Sequence, residues 1–305
     1  MTTADTRVLY RVSVPEPETH LVRVKLTLPA SSAPQYLALP AWIPGSYMIR
    51  DFARNIVEIS ARSNGRPLAL DRVDKQTWRL DADPSGSREI EYLVYAHDLS
   101  VRGAHIDDTH VYFNGPAVFL RAKGLEALPH EVIIEKMSGA AVSDWHVATT
   151  MPPVDIDDRG YGRYLTPGYD LLIDYPVEIS AAAQVEFVVD RVPHRMVLTG
   201  RQHADLDQIA EDIAKVCLVH GEMFGLPLPV EQYLFLVTVV KEGYGGLEHR
   251  DSTSLLCSRD DLSVGGEKVS EGYRRFLGLC SHEYFHLWNV KRIRPARFAD
   301  SDLSG

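Results

Sequence analysis

The hydrophobic periodicity of this chain changes once, near residue 200, and that change governs what it can fold into. From residue 8 to about 198, short runs rich in Val, Ile, Leu, Tyr and Thr recur between turn residues, at 8–14, 21–28, 56–61, 89–96, 111–113, 131–135 and 185–189. Leu21-Val-Arg-Val-Lys-Leu-Thr-Leu28 alternates apolar with polar, the period-two pattern of a strand with one dry and one wet face. Asn64-Gly65 between two such runs signals a hairpin, because both residue types tolerate the positive φ of a tight turn. Many short strands with few helical stretches predict an antiparallel β sandwich or barrel-like domain.

Past residue 200 the apolar spacing becomes helical. Leu206, Ile209, Ile213, Val216, Cys217, Val219 and Met223 follow three- and four-residue steps and predict an amphipathic helix over 204–224, ended near Gly225 and Pro227. A strand is expected at 233–240, then a glycine-rich turn, Gly243-Tyr-Gly-Gly246, leading into Leu247-Glu248-His249-Arg250 and a short strand at 252–257. A second helix is expected over 267–288, with Tyr273, Phe276, Leu277, Cys280, Tyr284 and Trp288 on one side. The fold class is therefore α+β and multidomain. A β-rich, sandwich-like N-terminal domain takes 1–178 and an α+β domain takes 179–305, with the boundary falling within 176–200.

Composition narrows the functional classes. Forty-two Asp and Glu against 32 Lys and Arg give a formal net charge of −10, and no long basic run appears, which argues against a nucleic-acid partner. The N-terminus lacks an apolar segment behind a basic start, and the longest apolar stretch, at 233–240, is far short of the ~20 residues of a spanning helix. No membrane partner is therefore expected, and the cytoplasm is the expected location. Cys217, Cys257 and Cys280 are odd in number and form no C-x-x-C pair, which fits buried thiols in a reducing compartment. Neither a G-x-S-x-G elbow nor a phosphate-binding G-x-x-x-x-G-K-[ST] loop occurs.

The chemistry concentrates in the second expected helix, at His282-Glu283-Tyr284-Phe285-His286. Two histidines four apart on a helix lie one above the other, so both imidazoles reach one tetrahedral zinc at ~2.0–2.1 Å. The intervening glutamate reaches water on that metal and serves as general base. The bland alternative is a helix that merely carries two histidines; an apolar helix behind a strand and a glycine-rich turn favours the metal. A peptidase zinc needs a third protein ligand. The only acidic residues after His286 are Asp300 and Asp302, in a polar tail past Arg294-Pro295, so the third ligand is expected on a further helix beyond residue 305.

Ser281-His-Glu-Tyr-Phe-His-Leu-Trp-Asn-Val-Lys-Arg-Ile-Arg-Pro295 resembles the zinc helix of the glycyl aminopeptidase family, gluzincin metallopeptidases that usually continue into a PDZ domain. Gly245-Gly-Leu-Glu-His-Arg-Asp-Ser-Thr253, Tyr169-Asp-Leu-Leu-Ile-Asp-Tyr-Pro-Val-Glu178 and Trp42-Ile-Pro-Gly-Ser-Tyr-Met-Ile-Arg-Asp-Phe52 look like further blocks of that family, so the resemblance covers most of the chain. It implies a β-rich domain followed by the N-terminal part of a thermolysin-like catalytic domain, and removal of small N-terminal residues such as glycine or alanine from peptides with a free N-terminus. It implies zinc on His282 and His286, with Glu283 as general base. It further implies that Gly245 and Gly246 pair with substrate backbone and that Glu248 holds the substrate α-ammonium. The family's third ligand, a glutamate on a later helix, has no counterpart here, so the chain is expected to stop within the catalytic domain, and its activity alone stays open.

Two other readings stay open. One is a noncatalytic peptide- or protein-binding module built on a degenerate metallopeptidase fold, and the other is an endopeptidase for which Glu248 is dispensable. Among weaker features, His105-Ile-Asp-Asp-Thr-His110 carries metal-ligand residue types but reads as a solvated acidic loop. Trp42 to Tyr47 with Arg50 reads as packing, and Lys291, Arg292 and Arg294 as cations complementing a helix C-terminus.

Overall fold

The computed structural model describes residues 7–43, 48–266, 269–293 and 296. The chain divides into two compact units. One takes the described residues up to Val147 and Met151–Ile179; the other takes Ala148–Thr150 and the described residues from Ser180 to 296.

The first unit is β-rich, with one eight-stranded and two four-stranded sheets. In Leu21–Leu28 the buried set is Val22, Val24, Leu26 and Leu28, while Arg23 faces water, so the alternating pattern becomes one dry face. Each such Val or Leu contributes about 1.5–3 kcal/mol by leaving water. At the expected hairpin, Ser63 pairs with Arg66 across Asn64 and Gly65, whose φ values are 49° and 76°, as a two-residue turn requires. The pairing is not wholly antiparallel: Val8–Ser13 runs parallel to His130–Ile134. Pattern cannot reveal strand direction when the partners lie more than a hundred residues apart. The buried segment 114–120 has little ladder pairing of its own, and three buried tyrosines serve it. The hydroxyls of Tyr92, Tyr169 and Tyr10 donate to the carbonyls of Val118, Phe119 and Leu120 at 2.8, 2.7 and 2.7 Å.

The second unit is a five-stranded sheet with two helices. Its elements are β1 (Ala183–Val189), β2 (Val192–Thr199), α1 (Leu206–Phe224), β3 (Tyr233–Val240), β4 (Tyr244–Glu248), β5 (Ser252–Ser258) and α2 (Glu271–Phe285). The sheet order is β1-β2-β3-β5-β4. The hairpin β1-β2 is antiparallel, β3 runs parallel to both β2 and β5, and β4 returns antiparallel to β5 at one end of the sheet. The central strand β3, Tyr-Leu-Phe-Leu-Val-Thr-Val-Val, is buried along most of its length, as a strand covered on both faces must be. The fold class is thus α+β, with a β-rich part followed by a helix-and-sheet part.

Three expectations change. Gly243 to Gly246 is not a turn, because Tyr244–Glu248 pairs residue for residue with β5 from Tyr244↔Cys257 to Glu248↔Thr253. The second helix is shorter than 267–288: Ser270 caps it by accepting from Tyr273 N at 3.0 Å, and it ends at Phe285. On α1, Ile209, Ile213 and Cys217 are buried, but Val219 and Met223 are 62% and 60% exposed, so the apolar stripe is narrower than the sequence predicts. The three cysteines are free and buried. Burial pushes the Cys257 thiol up to about 12. Among the described residues no helix is long and apolar enough to cross a membrane.

Candidate functional site

Helix α2 is fixed from its buried side by a residue inside the motif. Tyr284 is fully buried; its ring packs 4.7 Å from that of Tyr233 on β3, and its hydroxyl lies 3.0 Å from Nε2 of His194 on β2. The other ring nitrogen of His194, Nδ1, meets the Val192 carbonyl at 2.9 Å, so this histidine bridges sheet and helix. Its burial holds it neutral, with its pKa lowered to about 4. Helix α1 adds a second tether, with His220 Nε2 2.9 Å from Ser281 Oγ and Phe224 stacked 4.8 Å from Trp288.

With Tyr284 held inward, the rest of the motif is aimed. His282 is exposed and His286 half-buried, and their Nε2 atoms stand 3.2 Å apart. Two nitrogen ligands on one tetrahedral zinc, at ~2.0–2.1 Å each, are about 3.3 Å apart, so the pair fits that ion. His286 Nδ1 bonds to the Asn289 carbonyl, which assigns its proton to Nδ1 and its lone pair to Nε2. The turn that carries Asn289 is pinned by Arg292, whose guanidinium donates to the carbonyls of Arg250, Leu287 and Pro229 at 2.8, 2.8 and 3.0 Å. Arg292 therefore does more than complement a helix terminus, whereas Arg294 lies outside the described residues.

Strand β4 runs beside α2. Residues 244, 246 and 248 share one face of the strand. At one end the Arg275 guanidinium lies 5.9 Å from the Tyr244 ring and is held by two bonds to Asp261, of 2.6 and 2.8 Å. At the other end one donor atom each from Glu248, Glu283 and His286 lie within 4.8 Å of one another. Four strand residues span ~13 Å and eight helix residues ~12 Å, so Tyr244 to Glu248 keeps step with Arg275 to Glu283. Between these ends stands Gly246. A Cβ there would fall 2.1 Å from Glu283 Oε1, so only glycine leaves room for the buried carboxylate. Gly245 differs, since a Cβ on it would meet nothing within 4 Å. Among the described residues no strand pairs with the outer edge of β4.

All six residues singled out by sequence, Gly245, Gly246, Glu248, His282, Glu283 and His286, thus lie along one helix and one adjoining strand. Asp300 and Asp302 lie outside the described residues.

Residues 9–181 match the Peptidase M61 N-terminal domain, and residues 275–305 match M61 glycyl aminopeptidase. The chain belongs to the M61 peptidase family. An aminopeptidase N family protein from Idiomarina loihiensis is 39% identical to this M61 chain, with a TM-score of 0.93 over 98% of it and 50% of that protein. The M61 chain therefore spans about half the length of that relative. An M1 zinc metallopeptidase from Deinococcus radiodurans shares the fold at 14% identity, with a TM-score of 0.54 over 98% of this chain and 67% of that one. A comparison with curated proteins gives no match.

Sequence reasoning missed His194 and the space that Gly246 leaves for Glu283. No spacing marks either residue, because each acts across elements that meet only in the folded sheet. The segment from His105 to His110 is not a solvated loop as a whole: both histidines are buried, and only Asp108 and Thr109 at its tip are exposed. Of the block around Trp42, residues 44–47 lie outside the described residues, and Trp42 packs on the core of the first unit.

Proposed function

We propose that residues 179–305 carry the metal-binding and general-base part of a thermolysin-like catalytic domain, and that the protein is a zinc aminopeptidase acting on peptides with a free N-terminus and a small first residue, glycine or alanine. The observation that carries this reading is the packing of Glu283 against Gly246 with a donor atom close to His286, whose Nε2 is paired with that of His282. His282 and His286 would hold the metal through Nε2. Zinc, when bound, supplies the Lewis acidity that lowers the pKa of a coordinated water.

The remaining steps fall to side chains of this chain. The Glu283 carboxylate, 5% exposed, takes the proton of the attacking water and passes it to the leaving amine. The edge of β4 offers backbone groups to an extended peptide, and Gly245 lets that peptide approach closely. Glu248, close to both Glu283 and His286, pairs with the α-ammonium of the substrate and so limits cleavage to the first residue.

In the zinc-loaded protein, Glu283→Ala should keep the metal and lower kcat on glycyl and alanyl peptides by about 10²–10⁴-fold. N-acetylation of those peptides should abolish cleavage. Retained turnover in the variant would sink the mechanism, and equal cleavage of acetylated peptides would turn the assignment to an endopeptidase.

A further inference from the structure

The first unit holds another group of metal-donor side chains, on the hairpin formed by Ala104–Ile106 and His110–Phe113. Its register pairs His105 with Tyr112 and Ile106 with Val111. Asp107 N donates to the His110 carbonyl at 3.0 Å, so Asp107 stands opposite His110. Residues directly opposite share a face, and so do residues two apart along a strand. His105, Asp107 and His110 therefore project together, and one donor atom from each lies within 4.8 Å of the other two.

Both histidines are 4% exposed. His105 Nε2 lies 3.2 Å from Asp107 Oδ2, while its buried Nδ1 has no hydrogen-bond partner among the described residues. Leaving a buried polar atom unmatched is costly, so a partner is expected for it. The other Asp107 oxygen, Oδ1, is fixed by Thr109 N at 2.8 Å, Thr109 Oγ1 at 2.6 Å and His110 N at 3.1 Å. On the neighbouring strand Val177–Ser180, the buried Glu178 places Oε1 and Oε2 at 3.2 and 3.3 Å from His110 Nδ1. A proton on Nδ1 shared with that carboxylate leaves the Nε2 lone pair for a ligand, the arrangement that stands behind many metal-bound histidines.

We propose that His105, Asp107 and His110 form a second metal site, which takes a zinc-like divalent cation through two imidazole nitrogens and one carboxylate oxygen, with Glu178 orienting His110. Two nitrogens and one oxygen suit zinc, whereas calcium and magnesium demand oxygen ligands. The site is independent of the H-E-x-x-H helix and of the reading given to that helix.

The test uses a His282→Ala/His286→Ala background, so that zinc on α2 does not contribute. Equilibrium dialysis against Zn²⁺ should leave about one equivalent on this variant, and Co²⁺ in its place should give a visible ligand-field band. Adding His105→Gln or Asp107→Asn should weaken binding by at least about tenfold, and Glu178→Gln by about 10–100-fold. His97→Ala, which removes an exposed imidazole stacked 5.1 Å from His105, should leave the affinity unchanged. Near-UV circular dichroism checks that each variant is folded, and Asp107→Asn decides the matter if His105→Gln is not. Absence of bound zinc in the background variant overturns the proposal. So does zinc whose affinity ignores His105→Gln and Asp107→Asn, or falls with His97→Ala alone.

Discussion

On α2 and its C-cap, His282 and His286 are four residues apart and meet because the helical turn, kept at His286, returns to the same side every 3.6 residues; on the hairpin, His105 and His110 are five apart and meet because the chain reverses between them. The helical pair needs only that its segment be helical, and its spacing survives any change in where the helix starts. The hairpin pair depends on where the turn falls, since a slip of one residue would carry His110 to the opposite face. Aim differs from spacing, however. The helical histidines are useful only because Tyr284, bonded to His194, turns the motif toward β4. Local periodicity sets which donors meet, and the tertiary partners of neighbouring residues set what they meet.

The sharpest way to break that distinction is to change the strand and leave the helix untouched. Gly246→Val would place a side chain where Glu283 Oε1 now lies, so the carboxylate must leave its position while the two histidines keep theirs. The expected result is a loss of peptide hydrolysis comparable with removal of the general base, about 10²–10⁴-fold, at unchanged zinc content. Gly245→Ala should cost far less, because its Cβ enters open space. Kinetics on a glycyl peptide with metal analysis of the same samples would decide; equal losses at the two glycines would show that the clash with Glu283 is not what matters.

A smaller effect is expected from the anchor. His194 is 1% exposed, and its folded pKa of about 4 lies below the usual value near 6.5. The neutral form is therefore the one the fold prefers. Its contribution is complete above about pH 6.5 and is lost as the pH falls toward 4, where the unfolded chain binds a proton that the folded one refuses. The loss amounts to about 2 kcal/mol by pH 5 and about 3 kcal/mol at most. Urea unfolding of metal-free protein at pH 7 and pH 5 should show this decline, and His194→Gln should flatten it. An unaltered pH dependence in that variant would remove His194 as the acid-sensitive link between α2 and the sheet.

Much of the second unit was legible because its signals are local. The strand at Tyr233–Val240, the end of α1 at Gly225 and the pairing of His282 with His286 all follow from runs, caps and spacing within a few residues. What escaped was non-local. The glycine-rich segment 243–246 carries turn residues, yet pairing with β5 makes most of it a strand, and packing beside Glu283 explains Gly246. The segment from His105 to His110 looks like a polar loop because two aspartates and a threonine sit at its tip. Its histidines are buried by partners such as Glu178, 68 residues beyond His110, which no local pattern announces.

The smallest expected effect separates spacing from stability. Ser270 caps α2 through a 3.0 Å bond from Tyr273 N, more than two turns before His282. Ser270→Ala should cost about 1 kcal/mol of unfolding free energy. It should leave zinc affinity at His282 and His286 unchanged, because fraying of the first turn does not alter the relation between residues four apart near the other end. The hairpin offers no such separation, since Asp107 is at once the residue that fixes the turn and one of the donors. Thermal unfolding and zinc titration of the Ser270→Ala variant would test the contrast. A fall in affinity alongside stability would mean that the helical pair, too, depends on structure well beyond its own turn.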